Sequence, residues 1–496
     1  MPQTFSRRGF LAGLLGSASL PAFANSPTIS LRPVPRPATI ANQSGPAIKT
    51  LLDSSGVSGR VAIAVANAKT GAFLEGHYAE AGLPPASVTK ALTALYALSF
   101  LGSQHRFNTK LIAAGKVQNG ILKGDLVLSG GGDPTLDTNG LADLAKQLKA
   151  KGIREVSGRF KVWGGALPAI ERIDKKQPVH AGYNPSVSGL SLNYNRVHFE
   201  WKKTASGYQV TMDARSDRYR PEIQVSRMKI INRDFPTYTY KEMNGVDHWT
   251  VAKSALGKGG ARWLPVRQPE IYAGEVFSTL ARSHGIKLKT PEKTQSAPKG
   301  IVLATFQSAP LKELLRGMLK YSTNLTAEMI GIAASQARGA TIMGLKSSAK
   351  SMNAWAREKL EMSGAALVDH SGLGEASRMR ADELVRVLAR ASEQAKLKPV
   401  LKEVYLRQQN GKINKSHPLT VRAKTGTLHF VSGLAGYIDA RDGTSLAFVI
   451  FLADASLRQK LIGPNRERPK GARTWNRKAK TLQQRLLERW GDIYRS

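Results

Sequence analysis

The sequence contains no cysteine. Disulfides, thiolate metal sites and a cysteine nucleophile are therefore excluded. A chain of 496 residues must rely on its core instead, and that length suffices for two or three domains. Acids are scarce, with 36 Asp and Glu against 73 Lys and Arg and a net charge of +37. Such an excess suits a polyanionic partner: nucleic acid, an anionic membrane face or a wall polymer. No RNP pattern, zinc-finger spacing or aromatic-basic interleave is present, which argues against nucleic acid. No apolar run is long enough to span a bilayer. A G-x-S-x-G elbow and an H-E-x-x-H pair are both missing, and Gly130-Gly131-Gly132-Asp133-Pro134 lacks the lysine of a phosphate loop.

At the N-terminus, Ser6-Arg7-Arg8-Gly9-Phe10-Leu11 opens a short apolar stretch ending near Leu20, and Ala22-Phe23-Ala24 is an A-x-A cleavage site. The paired arginines before Phe-Leu resemble a twin-arginine export signal, with an ordinary secretory signal as the alternative. Residues 1–24 are thus expected to be a signal peptide and 25–46 a Pro- and Ser-rich leader. The mature chain is expected outside the cytoplasm, in the periplasm.

Downstream, Val61–Ala66 reads as a strand and Phe73–His77 as its hairpin partner. Two prolines, Pro84 and Pro85, precede an apolar run with Ala91, Leu92, Leu95, Leu98 and Leu101 at helical spacing. Ser87 then falls at a helix start with Lys90 one turn on, on the same face. A lysine there acts as a base only when neutral, which requires burial or a neighbouring cation. From about 103 to 264 short strands and turns dominate, with a helix near 140–151, and we expect one or two β-rich inserted domains. Two apolar helices, Leu311–Leu319 and Leu325–Ala334, are joined at Ser322-Thr323-Asn324. The plainer reading of Ser322 and Asn324 is a pair of helix caps. Leu419–Thr427, Gly433–Ala440 and Leu446–Leu452 read as antiparallel strands. In the basic tail, Trp475, Ala479, Leu482, Leu486 and Trp490 form a helical stripe, most simply a terminal helix on that sheet, with a membrane-surface role as the alternative.

Three signals now stand in order: Ser87-x-x-Lys90, Ser322-x-Asn324 and Lys424-Thr425-Gly426. Together they resemble the S-x-x-K, S-x-N, K-T-G set of penicillin-interacting serine enzymes. The long separation of the first two is similar to the D-alanyl-D-alanine carboxypeptidase/endopeptidase family, the class C low-molecular-mass penicillin-binding proteins. So are Gly124-Asp125-Leu126, Gly132-Asp133-Pro134-Thr135-Leu136, Ala327-Glu328, Asp369-His370-Ser371-Gly372-Leu373 and Ala423 to Leu428. The likeness covers nearly the whole chain after the signal. It departs at His370, where the family usually has glycine, and at Gly374, commonly serine.

The resemblance implies an α/β (α+β) fold: a β-lactamase/transpeptidase-like domain with an antiparallel sheet and a helical lobe, split into 47–102 and 265–496 around the 103–264 insertion. It implies that Ser87 is acylated by a D-Ala-D-X bond. Lys90, held neutral partly by the cation Lys424, takes the hydroxyl proton. Ser322 relays a proton to the leaving amine, and Asn324 orients Lys90 and the substrate amide. The backbone N–H groups of Ser87 and Thr427 hold the oxyanion. Substrate binding falls to Thr425, Gly426, Thr427 and Leu428, with Lys424, Thr425 and Thr427 receiving the terminal carboxylate. No metal or organic cofactor is implied. Peptidoglycan stem peptides are the implied substrates and β-lactams the acylating inhibitors. Peripheral membrane or wall contact through the basic surface is a further expectation. A β-lactamase-like hydrolase and a non-catalytic wall-binding protein remain the alternatives. Relatives that read the amine of diaminopimelate carry an aspartate near Gln177–Tyr183, yet no acid lies between Asp174 and Glu200.

Overall fold

The computed structural model describes residues 46–494 except 409, 463–465 and 468. The signal peptide and all of the leader but Pro46 lie outside the described residues. The frame is a six-stranded antiparallel sheet in the order 402–403, 419–428, 431–440, 445–453, 60–67, 73–77. Its central strands are apolar on both sides because both faces are covered. Along Arg60–Asn67, Val61, Ile63 and Val65 point to one core, while Ala62, Ala64 and Ala66 point to the other.

The first of these cores is closed by the C-terminal helix Ala472–Ile493. Its stripe of Trp475, Ala479, Leu482, Leu486 and Trp490 is buried against the sheet, as the periodicity predicts. The indole of Trp490 also donates to Glu75 Oε2 at 3.0 Å, and Arg489 Nη2 binds Glu75 Oε1 at 3.0 Å, pinning the helix to the edge strand. Since the stripe is covered by strands, it leaves no apolar face for a membrane. No described helix is long and apolar enough to cross one.

The opposite face of the sheet carries the helical lobe. At its centre is Thr89–Phe100, in which every residue from Thr89 to Ala97 is buried. A helix apolar on all sides belongs between layers. It lies against Asn324–Ala337, with Leu311–Tyr321 and Leu345–Leu360 beside them. The expected α+β architecture with its helical lobe is therefore present.

The insertion is larger than the sequence suggests. Asn108–Gln118 and Ile121–Ser129 form a hairpin, and Ile301–Gln307 pairs antiparallel with the first of these strands. Helix Pro269–Ser283 buries Tyr272, Ala273, Val276 and Phe277 in the same core as helix Thr138–Ala150. Two further three-stranded sheets complete the region. The expected return to the main domain at 265 therefore moves to about 308. There the two connecting chains are clasped: Ser308 N donates to Phe107 O at 2.9 Å, and Phe107 N to Ser308 Oγ at 3.0 Å. The segment 265–307 lies with the insertion and not the main domain, because its strand pairs with residues almost two hundred positions earlier, which local pattern does not reveal.

Trp490→Ala removes a fully buried indole from beneath the sheet. It is expected to lower unfolding stability by about 3–5 kcal/mol, read as a fall in the urea midpoint.

Candidate functional site

Ser87 sits in a single 3₁₀ turn, Ala86–Val88, whose last residue leads into the helix at Thr89. Ala86 takes φ +45° and Ser322 φ +59°. A left-handed conformation costs a non-glycine residue about 1–2 kcal/mol, so the packed frame is holding both positions in place. The helix brings Lys90 beneath the serine. Its Nζ lies 3.0 Å from Ser87 Oγ, 2.7 Å from Asn324 Oδ1 and 2.7 Å from the Ser371 carbonyl. Two of these neighbours can only accept, whereas the hydroxyl can also donate. A neutral amine fits the arrangement fully: it donates to Asn324 and Ser371 and accepts from Ser87.

Burial moves the amine toward that neutral form, which predominates above about pH 8. Lys90 is fully buried, and desolvation pulls its pKa down to about 8, against the opposing pull of the Glu328 and Asp369 carboxylates. Of the two causes the sequence leaves open, burial leads, and the expected partial contribution of the Lys424 cation is not among the charges that act on Lys90. Lys424 is itself pushed well below the ordinary lysine range, by burial first and then by the charges of Lys90 and Lys402. Its Nζ donates to Ser322 Oγ at 2.9 Å and to the Thr425 carbonyl at 2.6 Å.

Ser322 and Asn324 do stand at helix ends, as the C-cap of Leu311–Tyr321 and the first residue of Asn324–Ala337, but neither side chain caps. The Ser322 hydroxyl faces Lys424. Asn324 gives its oxygen to Lys90 and its Nδ2 to the Tyr183 carbonyl at 2.9 Å. That last bond ties the insertion directly to the site.

Lys424, Thr425, Gly426, Thr427 and Leu428 occupy the end of strand Leu419–Leu428. Gly426 is required by proximity, because a Cβ there would stand 2.8 Å from the Pro85 carbonyl and 3.0 Å from Ser87 N. The strand thus runs past the backbone of the serine turn. Ser87, Ser322, Asn324, Thr427 and Leu428 line one cavity of about 430 Å³, while Lys424, Thr425 and Gly426 do not border it.

Two buried carboxylates were not singled out as site residues from the sequence. Glu328 Oε1 and Oε2 accept from Ser371 N at 2.9 Å and His370 N at 3.0 Å, which aims the Ser371 carbonyl at Lys90. Asp369 accepts from Gly372 N at 2.7 Å and Gly374 N at 2.6 Å. Burial raises the pKa of both carboxyls. The available signal was the position of Glu328 four residues after Asn324, one helical turn along the same face.

His370, where the family usually has glycine, is fully buried and stacked on Tyr96, with Nε2 2.7 Å from Ser348 Oγ. Burial lowers its pKa to about 3, so the ring is neutral. Its bulk fits because Gly331 leaves room, since any Cβ there would overlap the ring.

A serine on this α+β frame, with its paired lysine motifs, places the chain among serine hydrolases of the β-lactamase/transpeptidase kind. Residues 47–469 match the D-Ala-D-Ala carboxypeptidase 3 (S13) family, and the chain belongs to that family. It is accordingly a serine peptidase. It is 25% identical over 453 residues to the D-alanyl-D-alanine carboxypeptidase of Actinomadura sp. (strain R39), covering 81% of this chain and 79% of that protein. To the D-alanyl-D-alanine carboxypeptidase DacB of Haemophilus influenzae it is 25% identical over 395 residues, covering 74% and 80%. The crystal structure of penicillin binding protein 4 (dacB) from Haemophilus influenzae shares the fold, with a TM-score of 0.71 at 22% identity over 89% of this chain and 99% of that one.

Gly331→Ala is expected to drive a methyl into the His370 ring and cost about 1–3 kcal/mol by overpacking. Thermal unfolding checks this, and the double variant with His370→Gly is expected to regain part of the loss.

Proposed function

We propose that the chain is a penicillin-sensitive DD-peptidase that hydrolyses D-Ala-D-X bonds of peptidoglycan stem peptides through an acyl-enzyme on Ser87. The observation that carries this reading is the Lys90 amine, buried and 3.0 Å from the Ser87 hydroxyl. As the Ser87 Oγ–carbonyl bond forms, its proton passes to Lys90 Nζ. The oxyanion develops toward the N–H groups of Ser87 and Thr427. Collapse breaks the scissile C–N bond, and the proton that Lys90 took passes by way of Ser322, beside Lys424, to the departing amine, which leaves Lys90 neutral again. Water then attacks the ester, its proton passes to Lys90, and Lys90 returns that proton to Ser87 Oγ as the ester bond breaks.

Lys424, Thr425 and Thr427 receive the substrate's terminal carboxylate. An arriving anion raises the proton affinity of Lys424, so substrate binding itself restores the charge that burial disfavours. Gly426 allows the strand to pass the serine turn, and Leu428 contributes apolar wall. The chemistry runs on side chains and water alone. The insertion belongs to this reading through the Tyr183–Asn324 contact. The family's substrate lies outside the cytoplasm, which supports a periplasmic location, and the Arg7-Arg8 motif before Phe10-Leu11 supports export by the twin-arginine route. The excess of basic residues suits contact with anionic wall polymer.

Fluorescent penicillin is expected to label the protein in a form that survives denaturation, and Ser87→Ala to abolish the label. Labelling that persists in the variant would falsify the nucleophile assignment. The rate constant of acylation is expected to rise with pH as Lys90 loses its proton, levelling off above about 8. A rate flat from pH 6 to 10 would contradict Lys90 as the base.

A further inference from the structure

The insertion reaches Asn324 through a main-chain carbonyl, and that carbonyl decides which way the amide faces. Asn324 carries an acceptor, Oδ1, and a donor, Nδ2, on one planar group. A neutral Lys90 amine can meet either end, because it both donates and accepts. The Tyr183 carbonyl can only accept. By taking Nδ2 at 2.9 Å it leaves Oδ1 to Lys90, at 2.7 Å. The amine then donates to Asn324, and its lone pair stays available for the Ser87 proton.

The peptide that carries this carbonyl is fixed on both sides. Its N–H, on Asn184, donates to the Ala181 carbonyl at 2.9 Å. The next carbonyl, that of Asn184, accepts from Arg267 Nη1 at 3.0 Å. The buried Asn184 side chain bonds Asp174 N at 2.9 Å and Asp174 O at 2.8 Å, stapling the segment to its own base. Arg267 reaches two more carbonyls of the same segment, Glu171 with Nη1 at 3.0 Å and Val179 with Nη2 at 2.9 Å. A planar fork suits this task, since its donors point in fixed directions. Arg267 is itself buried, and its main-chain N–H donates to Asp247 Oδ2 at 2.8 Å, on the strand Val246–Ala252 of the insertion. One guanidinium thus ties the segment 171–184 to the insertion's own frame. Below, Leu167, Ile173 and Val187 share a core with Leu325, Met329 and Ile332 of the helix that starts at Asn324. The clamped segment is therefore seated on the helix whose first residue it orients.

We propose that Arg267 is a positioning residue for acylation: through the Tyr183–Asn184 peptide it fixes the Asn324 amide, and so keeps the Lys90 lone pair directed at Ser87. The inference rests on the Ser87–Lys90 reading above and gives the insertion a part in the chemistry. A clamp that served folding alone would act on stability and leave the Asn324-dependent part of the rate untouched.

The test follows penicillin acylation of Ser87 in the full chain from pH 6 to 10, under single-turnover conditions, with thermal unfolding recorded for each variant. Arg267→Met is expected to lower the plateau rate roughly tenfold, the worth of one hydrogen bond in the transition state, and Arg267→Lys to retain part of it. In an Asn324→Ala background the same Arg267→Met change is expected to alter the rate by less than about twofold, because the two residues act as one unit. The pH midpoint of Arg267→Met is expected below that of the unaltered chain, since an ammonium that loses an acceptor is easier to deprotonate. Glu328 and Asp369, whose charges act on Lys90, and Lys424 on the facing strand all stand outside the clamp. Asn184→Ala loosens the same peptide while sparing Arg267, and is expected to show the same pattern, so the outcome does not hang on one variant folding. Equal losses from Arg267→Met with and without Asn324 would overturn the inference. So would an unmoved midpoint, or a folded Arg267→Met acylated as fast as the unaltered chain. Failure of penicillin to acylate the unaltered chain would instead strike the underlying DD-peptidase reading.

Discussion

An amine with no contact to water holds its proton weakly, and the site of this protein is built around that fact. Lys90 is enclosed on a helix whose other faces are packed between the sheet and the helical lobe. Moving an ammonium into such surroundings is costly unless charge and hydrogen bonds compensate it. Glu328 and Asp369 supply part of that compensation and hold the pKa near 8 rather than lower. Glu328 is also the acceptor for the backbone of His370 and Ser371. The carboxylate that tunes the amine thus fixes the carbonyl that orients it. Removing either layer of packing would let water in and return Lys90 to an ordinary, protonated lysine.

The frame follows from that need. A helix can be buried on every face only when something covers each of them, and here the sheet covers one side and the other helices of the lobe the rest. The sheet is in turn covered behind by the C-terminal helix, which explains why its central strands read as unbroken apolar runs. The segment entering at Phe107 and leaving at Ser308 adds a separate core without interrupting this sandwich. It still reaches the site, because Tyr183 offers its carbonyl to Asn324 and borders the cavity.

Much of this could be read from the sequence where the information is local. The hairpin at 60–77, the serine turn and its helix, the joint at Ser322–Asn324 and the stripe from Trp475 to Trp490 all follow from spacing. What escaped is tertiary. The strand 301–307 pairs with 108–118, so the insertion extends past its expected end. Which of burial and a neighbouring cation lowers the Lys90 pKa could not be chosen from residue types, and burial leads. His370 stood out as a departure from the family's glycine, but its dependence on the space at Gly331 required coordinates.

The charge state of one side chain carries the account. The ¹⁵Nζ resonance of Lys90, followed through a pH titration of the free protein and assigned by its loss in Lys90→Met, reports it directly. The account predicts a midpoint near 8. A midpoint at the ordinary lysine value of about 10.4 would show a charged amine beneath Ser87 and contradict it.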